Sequence, residues 1–198
     1  MSTKNVVIWN GSKPENTTAK LIFDSCNQAL TKKGCKTQAI QLSEVNIAPC
    51  QGCFHCWIKT PGECIYKDYG RETTKMFVQS DLIITITPVT FGGYSSILKK
   101  AIDRIIPSIL PFFTLIKGET HHEARYEKHP RFLMIGILPQ KHERKEEIFK
   151  KLFHRNALNM HSPSHKVKIV YEEGFMKNSA DNVVTELLQK NGVIGCEK

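Results

Sequence analysis

Apolar and polar positions along the chain switch repeatedly between a two-residue and a helical period. The β-branched run Asn5-Val-Val-Ile-Trp9 is followed by Asn10-Gly11-Ser12 and then Asn16-Thr17-Thr18, which predicts a strand, a tight loop and a helix N-cap. Leu21, Ile22, Cys26, Ala29 and Leu30 recur at helical spacing between Thr17 and Lys33, and Gly34 supplies the stop. Side chains alternate from Lys36 to Leu42, a second strand. From Ser43 to Asp68 neither period persists, and a connection this long inside a domain is usually functional. A short helix near Glu72 to Gln79 then precedes Leu82-Ile-Ile-Thr-Ile86, an apolar strand of the kind buried on both faces in a parallel sheet. The loop Val89 to Gly93 leads to a helix at Ser95 to Ile106 and a proline-punctuated apolar stretch. A strand at Phe132 to Leu138, a charged helix at His142 to Leu158, a strand at Val167 to Tyr171 and a helix at Asp181 to Lys190 complete the pattern. Five strands alternating with helices predict one α/β domain over residues 1–198, doubly wound around a parallel sheet, with a cysteine-rich insertion at about 43–69. Ligands of such sheets bind outside the carboxyl ends of the strands, and the unusual loops lie there.

At 198 residues the chain can bury a core without disulfides or metal, so a metal would serve chemistry. The net charge of +9 favours anionic partners such as nucleotides or phosphate cofactors. It does not indicate nucleic acid. Lys141, Arg144, Lys145, Lys150, Lys151 and Arg155 are interrupted by Glu143, Glu146 and Glu147, which reads as a solvated face with ion pairs. Seven cysteines and the polar start Met1-Ser-Thr-Lys-Asn5 lead us to expect a reducing cytoplasm, with Cys26, Cys35 and Cys196 as ordinary thiols. The apolar stretch Ile105 to Ile116 is broken by Pro107 and Pro111 and is too short to span a bilayer, so no membrane partner is expected. The tail after Gly192 receives no role.

Three loops carry candidate chemistry. Gly11-Ser12-Lys13-Pro14-Glu15-Asn16-Thr17-Thr18 offers hydroxyls, an amide and a helix N-terminus to one anion; helix capping alone is the competing reading. It is neither a Walker loop nor a G-x-G-x-x-G fingerprint. Thr87-Pro88-Val89-Thr90-Phe91-Gly92-Gly93-Tyr94-Ser95-Ser96 sets aromatics beside glycines, so that backbone can approach a flat ring; the alternative is a turn with core aromatics. Cys50, Cys53, Cys56 and Cys64 follow a C-x2-C-x2-C-x7-C pattern that could hold an iron–sulfur cluster or a tetrahedral zinc, could signal redox state through Cys53 and Cys56, or could be reduced thiols under a loop.

Gly11-Ser12 with the Asn16-Thr17-Thr18 cap, the Pro49-Cys50-x-Gly52-Cys53-x-x-Cys56 block ending at Cys64, and Thr87-Pro88-Val89 through Lys99-x-x-Ile102-Asp103-Arg104 resemble the flavodoxin-like NADPH-dependent FMN reductases, in particular the branch of the iron–sulfur flavoproteins. The similarity covers about Val6 to Leu138. It implies a flavodoxin-like three-layer sandwich with a five-stranded parallel sheet in the order 2-1-3-4-5. It also implies FMN, with phosphate on Ser12, Lys13, Asn16, Thr17 and Thr18 and the flavin ring along Pro88, Val89, Thr90, Phe91, Gly92 and Gly93. Lys13 stands where the family often has Pro-Arg, and the last cysteine gap is longer than in the iron–sulfur branch. The activity implied is electron transfer from NAD(P)H through flavin to a small acceptor such as a quinone, flavin, azo or nitro compound, with no catalytic acid or base. The alternatives are an electron carrier with a 4Fe–4S cluster on Cys50, Cys53, Cys56 and Cys64, and a zinc-stabilised binding module.

His121, His122 and Glu123 could suggest a metal, but adjacent histidines rarely point the same way, so a solvated or subunit-contact role is expected. The apolar run Ile105 to Phe113 predicts a homodimer or dimer-based oligomer whose partner helps to cover the flavin, with burial in the monomer core as the alternative.

Overall fold

The computed structural model describes residues 4–190. The elements in chain order are β1 (Asn5–Asn10), α1 (Thr17–Lys32), β2 (Lys36–Gln41), α2 (His55–Ile58), α3 (Tyr69–Gln79), β3 (Leu82–Pro88), α4 (Ser96–Asp103), β4 (Ile109–Ile116), β5 (Glu119–Ala124), β6 (Arg131–Leu138), α5 (Glu143–Asn159), β7 (His165–Tyr171) and α6 (Lys177–Lys190). Five strands pair side by side in the order β2-β1-β3-β6-β7, every pair parallel. Numbered within that sheet the order is 2-1-3-4-5, the flavodoxin-like topology.

The sheet is the middle of three layers because its central strands are apolar on both faces. Val6, Ile8, Ile84, Ile86 and Ile135 face one way and meet Ala19, Ile22, Cys26 and Leu30 of α1 with Val184 and Leu188 of α6. Val7, Trp9, Ile83, Phe132 and Met134 face the other way, against Phe77 of α3, Leu98 and Ala101 of α4, and Phe149 and Phe153 of α5. Each such side chain contributes about 1.5–3 kcal/mol when removed from water. Gly11 is demanded by this packing, since a Cβ there would stand 2.5 Å from Leu98 Cβ.

The proline-punctuated stretch after α4 is more ordered than its sequence suggests. Ile106–Ser108 forms a 3-10 turn, and β4 and β5 then pair as an antiparallel hairpin. Its two-residue connection, Lys117 at φ 51° and Gly118 at φ 80°, has both residues left-handed, as hairpin turns that match strand twist require. The pairing register shifts between Ile109 and Phe113, the interval that contains Pro111, where a missing N–H is tolerated. The apolar run Ile105 to Phe113 therefore divides: Ile105, Pro107 and Ile109 are buried, whereas Phe112 and Phe113 are exposed, as is Leu115 just beyond.

The cysteine expectation needs one correction. Cys35 is disulfide-bonded rather than an ordinary thiol, whereas Cys26, Cys50, Cys53, Cys56 and Cys64 are free. Cys196 and the tail after Gly192 lie outside the described residues. No helix among the described residues is long and apolar enough to cross a membrane.

Candidate functional site

The winding of the sheet reverses between β1 and β3, and the loops leaving their carboxyl ends face each other across the crevice so formed. They enclose an open cleft of about 500 Å³, with Gly11, Ser12, Lys13, Glu15 and Asn16 on one side and Pro88, Thr90 and Ser95 to Ile97 on the other. Several polar groups are committed to holding this shape. The Asn10 carboxamide oxygen accepts from the Ser12 hydroxyl at 2.7 Å and from the Ser12 N–H at 3.1 Å. Gln41, at the end of β2, donates to the Ser12 carbonyl at 2.7 Å. The Ser95 hydroxyl accepts from the Leu98 N–H at 3.1 Å, capping α4, and donates to the Gly11 carbonyl, which ties the two loops together.

Asn16 caps α1, its Oδ1 accepting from the Ala19 N–H at 2.7 Å, while its Nδ2 donates to Glu172 after β7 at 2.7 Å. Both ends of that amide are occupied. The backbone N–H groups of Thr17 and Thr18 meet no acceptor among the described residues. Two free donors at the positive end of a 16-residue helix, with the exposed Lys13 in the same loop, are the kind of donor set that suits an anion. The Ser12 and Asn16 side chains are thus taken up in shaping the loop, whereas the Thr17 and Thr18 N–H groups are left open.

On the opposite wall Thr90 and Gly93 exchange backbone hydrogen bonds at 3.0 and 2.8 Å around Phe91 at φ 51° and Gly92 at φ 81°. This tight turn fixes a rim of backbone beside the cleft. Pro88 and Thr90 line it; Val89 instead continues the sheet, its N–H donating to the Ile137 carbonyl at 2.8 Å. Gly92 lies under Ile148 of α5, where a Cβ would approach to 2.9 Å, and Phe91 stands 96% exposed at the tip. Ser95 and Ser96, the end of the second loop, line the cleft together with Ile97, which the sequence did not mark.

The cysteine loop contains one turn of helix, α2, entered through Gly52 at φ 64° and Phe54 at φ 55°. These two left-handed residues fold it so that Cys50, Cys53, Cys56 and Cys64 line one small cavity together with Tyr66 and Arg104. Cys50 and Cys53 are exposed and Cys56 is buried. Burial, reinforced by the neighbouring Cys64, Cys50 and Cys53, pushes the Cys56 thiol up to about 11. Among the described residues no three His, Cys, Asp or Glu side chains are placed to hold one metal ion, so the four sulfurs share a wall without converging on a single-ion site. His121 and His122 do not form a metal pair. Successive strand residues point to opposite faces, and the His122 ring lies tilted between Trp57 and Phe113 at centroid distances of 4.9 and 4.8 Å.

In doubly wound α/β folds ligands bind in the crevice at this switch point, where the free donors of α1 lie. Residues 4–124 match the family described as NADPH-dependent FMN reductase, and the chain belongs to that family. An iron–sulfur flavoprotein of Methanocaldococcus jannaschii is 35% identical over 109 residues, 55% of each chain. One of Archaeoglobus fulgidus is 29% identical over 97 residues, 49% of this chain and 43% of its own. The chain thus spans about half the length of the curated relatives it matches. In fold it is similar to an NAD(P)H:quinone oxidoreductase from Methanothermobacter marburgensis, with a TM-score of 0.69 and 13% identity over 99% of this chain and 100% of that one. An FMN-dependent NADH-azoreductase from Bacillus anthracis, solved with FMN, gives a TM-score of 0.68 and 10% identity over 96% of this chain and 100% of the other.

One pH dependence follows from the loop's closure. Burial pushes the Asp68 carboxyl up, but hydrogen bonds from Arg104, Ala48 and Gly70 outweigh it and hold its pKa below the ordinary value. With the unfolded value at ~3.9, its contribution to stability is complete above that pH and is lost as pH falls through the lower folded value. Asp68→Asn should lower stability at pH 7 and make the curve shallower below about pH 4. Urea unfolding at a series of pH values checks this, and an unchanged acid limb contradicts it.

Proposed function

We propose that this chain is an FMN-dependent oxidoreductase that takes electrons from NADPH or NADH and passes them to a small acceptor, such as a quinone, a flavin, or an azo or nitro compound. The observation that carries this reading is the pair of unpartnered N–H groups of Thr17 and Thr18 beside Lys13, at the switch-point cleft of a chain in the FMN reductase family. The residues fit FMN: the α1 end suits its phosphate, and the backbone rim at Pro88 to Thr90 leaves one wall open for a flat ring. When bound, the flavin supplies the hydride and electron chemistry.

The chain's own part is position and charge. Lys13 and the helix end hold the phosphate, the loops tied through Ser95 and Gly11 keep the two walls in register, and the rim limits water on one ring face. No side chain is assigned to move a proton. The named relatives and fold neighbours, iron–sulfur flavoproteins, a quinone oxidoreductase and an azoreductase, support a redox role without choosing the acceptor.

A second reading is favoured by a separate observation. Because four cysteines line one cavity, the loop fits a 4Fe–4S cluster, in which case the protein is an electron carrier between flavin and cluster. The exposed hairpin side chains Phe112, Phe113 and Leu115 support a homodimer, a second copy covering them. Light scattering should return a dimer that Phe113→Asp dissociates, and a monomeric wild type contradicts this part.

The flavin reading is tested at α1. Thr17 occupies the first helical position, where proline is tolerated, and Asn16 already has the extended backbone that precedes proline. Thr17→Pro therefore removes one phosphate donor while leaving the helix intact. A charge-assisted hydrogen bond is worth about 1.5–3 kcal/mol, so FMN affinity should fall at least about tenfold relative to Thr17→Ala, with riboflavin affinity unaffected. Equal FMN affinity in the two variants, or no acceptor-dependent NAD(P)H oxidation by the wild type, contradicts the reading.

A further inference from the structure

Arg104 ends the motif Lys99-x-x-Ile102-Asp103-Arg104, and the flavin cleft gives it no role. It follows α4 directly and is 1% exposed, among the largest fully buried side chains. Its guanidinium pairs with the Asp68 carboxylate through both oxygens, Nη1 to Oδ2 at 2.8 Å and Nη2 to Oδ1 at 2.6 Å. Nη1 also donates to the Ala48 carbonyl at 2.8 Å, and the Ala48 N–H donates to Asp68 Oδ2 at 2.7 Å. Ala48 precedes Cys50 and Asp68 follows Cys64, so one ion pair clasps both ends of the four-cysteine loop. The Tyr66 ring lies 5.6 Å from the guanidinium carbon, and a Cβ on Gly70 would stand only 2.6 Å from that carbon. The side chain has no room to turn away.

One donor of this clasp is left over. Arg104 Nε is buried without an aligned acceptor among the described residues, although the Cys64 side chain lies within hydrogen-bonding range of the guanidinium, and Arg104 lines the same cavity as Cys50, Cys53, Cys56 and Cys64. A buried, charged N–H without an acceptor is costly, and a sulfur-rich anionic group in that cavity would supply one. Burial works against the Arg104 charge, yet Asp68 and the nearby Cys64 keep its pKa above the ordinary guanidinium value. The cation is present at every working pH.

We propose that Arg104 positions and tunes the four-cysteine centre, its Nε–H donating to a sulfur of the group held there and its charge favouring the reduced state. This rests on the cluster reading above. Adding one electron makes a thiolate-bound centre more negative, so a fixed neighbouring cation raises its potential, and Asp68, which offsets that cation, lowers it. Removing Arg104 and removing the Asp68 charge must therefore shift the potential in opposite directions. A purely structural clasp makes no such distinction, because both changes break the same ion pair.

The test is anaerobic reconstitution of the full chain with ferrous iron and sulfide, followed by a potentiometric titration read by electron paramagnetic resonance, with circular dichroism as the folding control. In Arg104→Gln the reduced-to-oxidised ratio at fixed ambient potential should fall about tenfold, equivalent to ~59 mV for one electron. In Asp68→Asn it should rise. Shifts in the same direction, or none, overturn the inference while leaving the cluster reading intact. If Arg104→Gln does not fold, Asp68→Asn decides alone, since an unchanged or lowered potential overturns the proposal. A wild-type chain that takes up neither iron nor sulfide overturns the cluster reading and this inference together.

Discussion

Parallel pairing of β1 with β3, in which Asn10 stands opposite Ile86, holds the two cleft loops at the same edge of the sheet. The Gly11 N–H extends this pairing by donating to the Ile86 carbonyl at 2.8 Å, so the first loop begins its turn at a fixed height. Gly11 then passes so close to Leu98 that α4 can pack only against a residue without a side chain. The Ser95 hydroxyl, capping α4 and donating to the Gly11 carbonyl, adds a hydrogen bond to that contact. The cleft is thus a consequence of strand order and two short contacts.

The cysteine loop is held by different physics. Its closure depends on an ion pair between the buried Arg104 and the partly buried Asp68, 36 positions apart, in which the carboxylate also accepts the N–H groups of Ala48 and Gly70. Removing one partner of such a pair typically costs about 3–5 kcal/mol because the other charge is left unpaired. The loop therefore tolerates exposed sulfurs and two left-handed residues without losing its course. Its cavity touches Arg104 and Pro107, just beyond the C-terminal end of α4, whereas the switch-point cleft touches Ser95 to Ile97 at its start, so one helix separates the two candidate centres.

Local signals made much of this legible in the sequence. The apolar run Leu82 to Ile86, the Asn16 cap and the alternation of strands and helices carry their meaning within a few residues, and the strand order follows the family resemblance. The hairpin was hidden because Pro107 and Pro111 read as breakers, while the Lys117-Gly118 turn that organises it is brief. That Ser12 and Asn16 brace the loop, leaving donation to the Thr17 and Thr18 backbone, depends on Asn10, Gln41 and Glu172, partners no spacing reveals. The clasp of Arg104 on Asp68 and the bonded state of Cys35 are non-local for the same reason.

The most direct measurement is an anaerobic absorption spectrum of the freshly purified chain, taken before and after one equivalent of NADPH, with flavin identified after release. FMN bound in the cleft predicts flavin bands that bleach on addition of the nucleotide, and a released flavin that carries a phosphate. A colourless protein that also fails to bind added FMN, or that binds riboflavin as tightly as FMN, would contradict the placement of a phosphate at the start of α1.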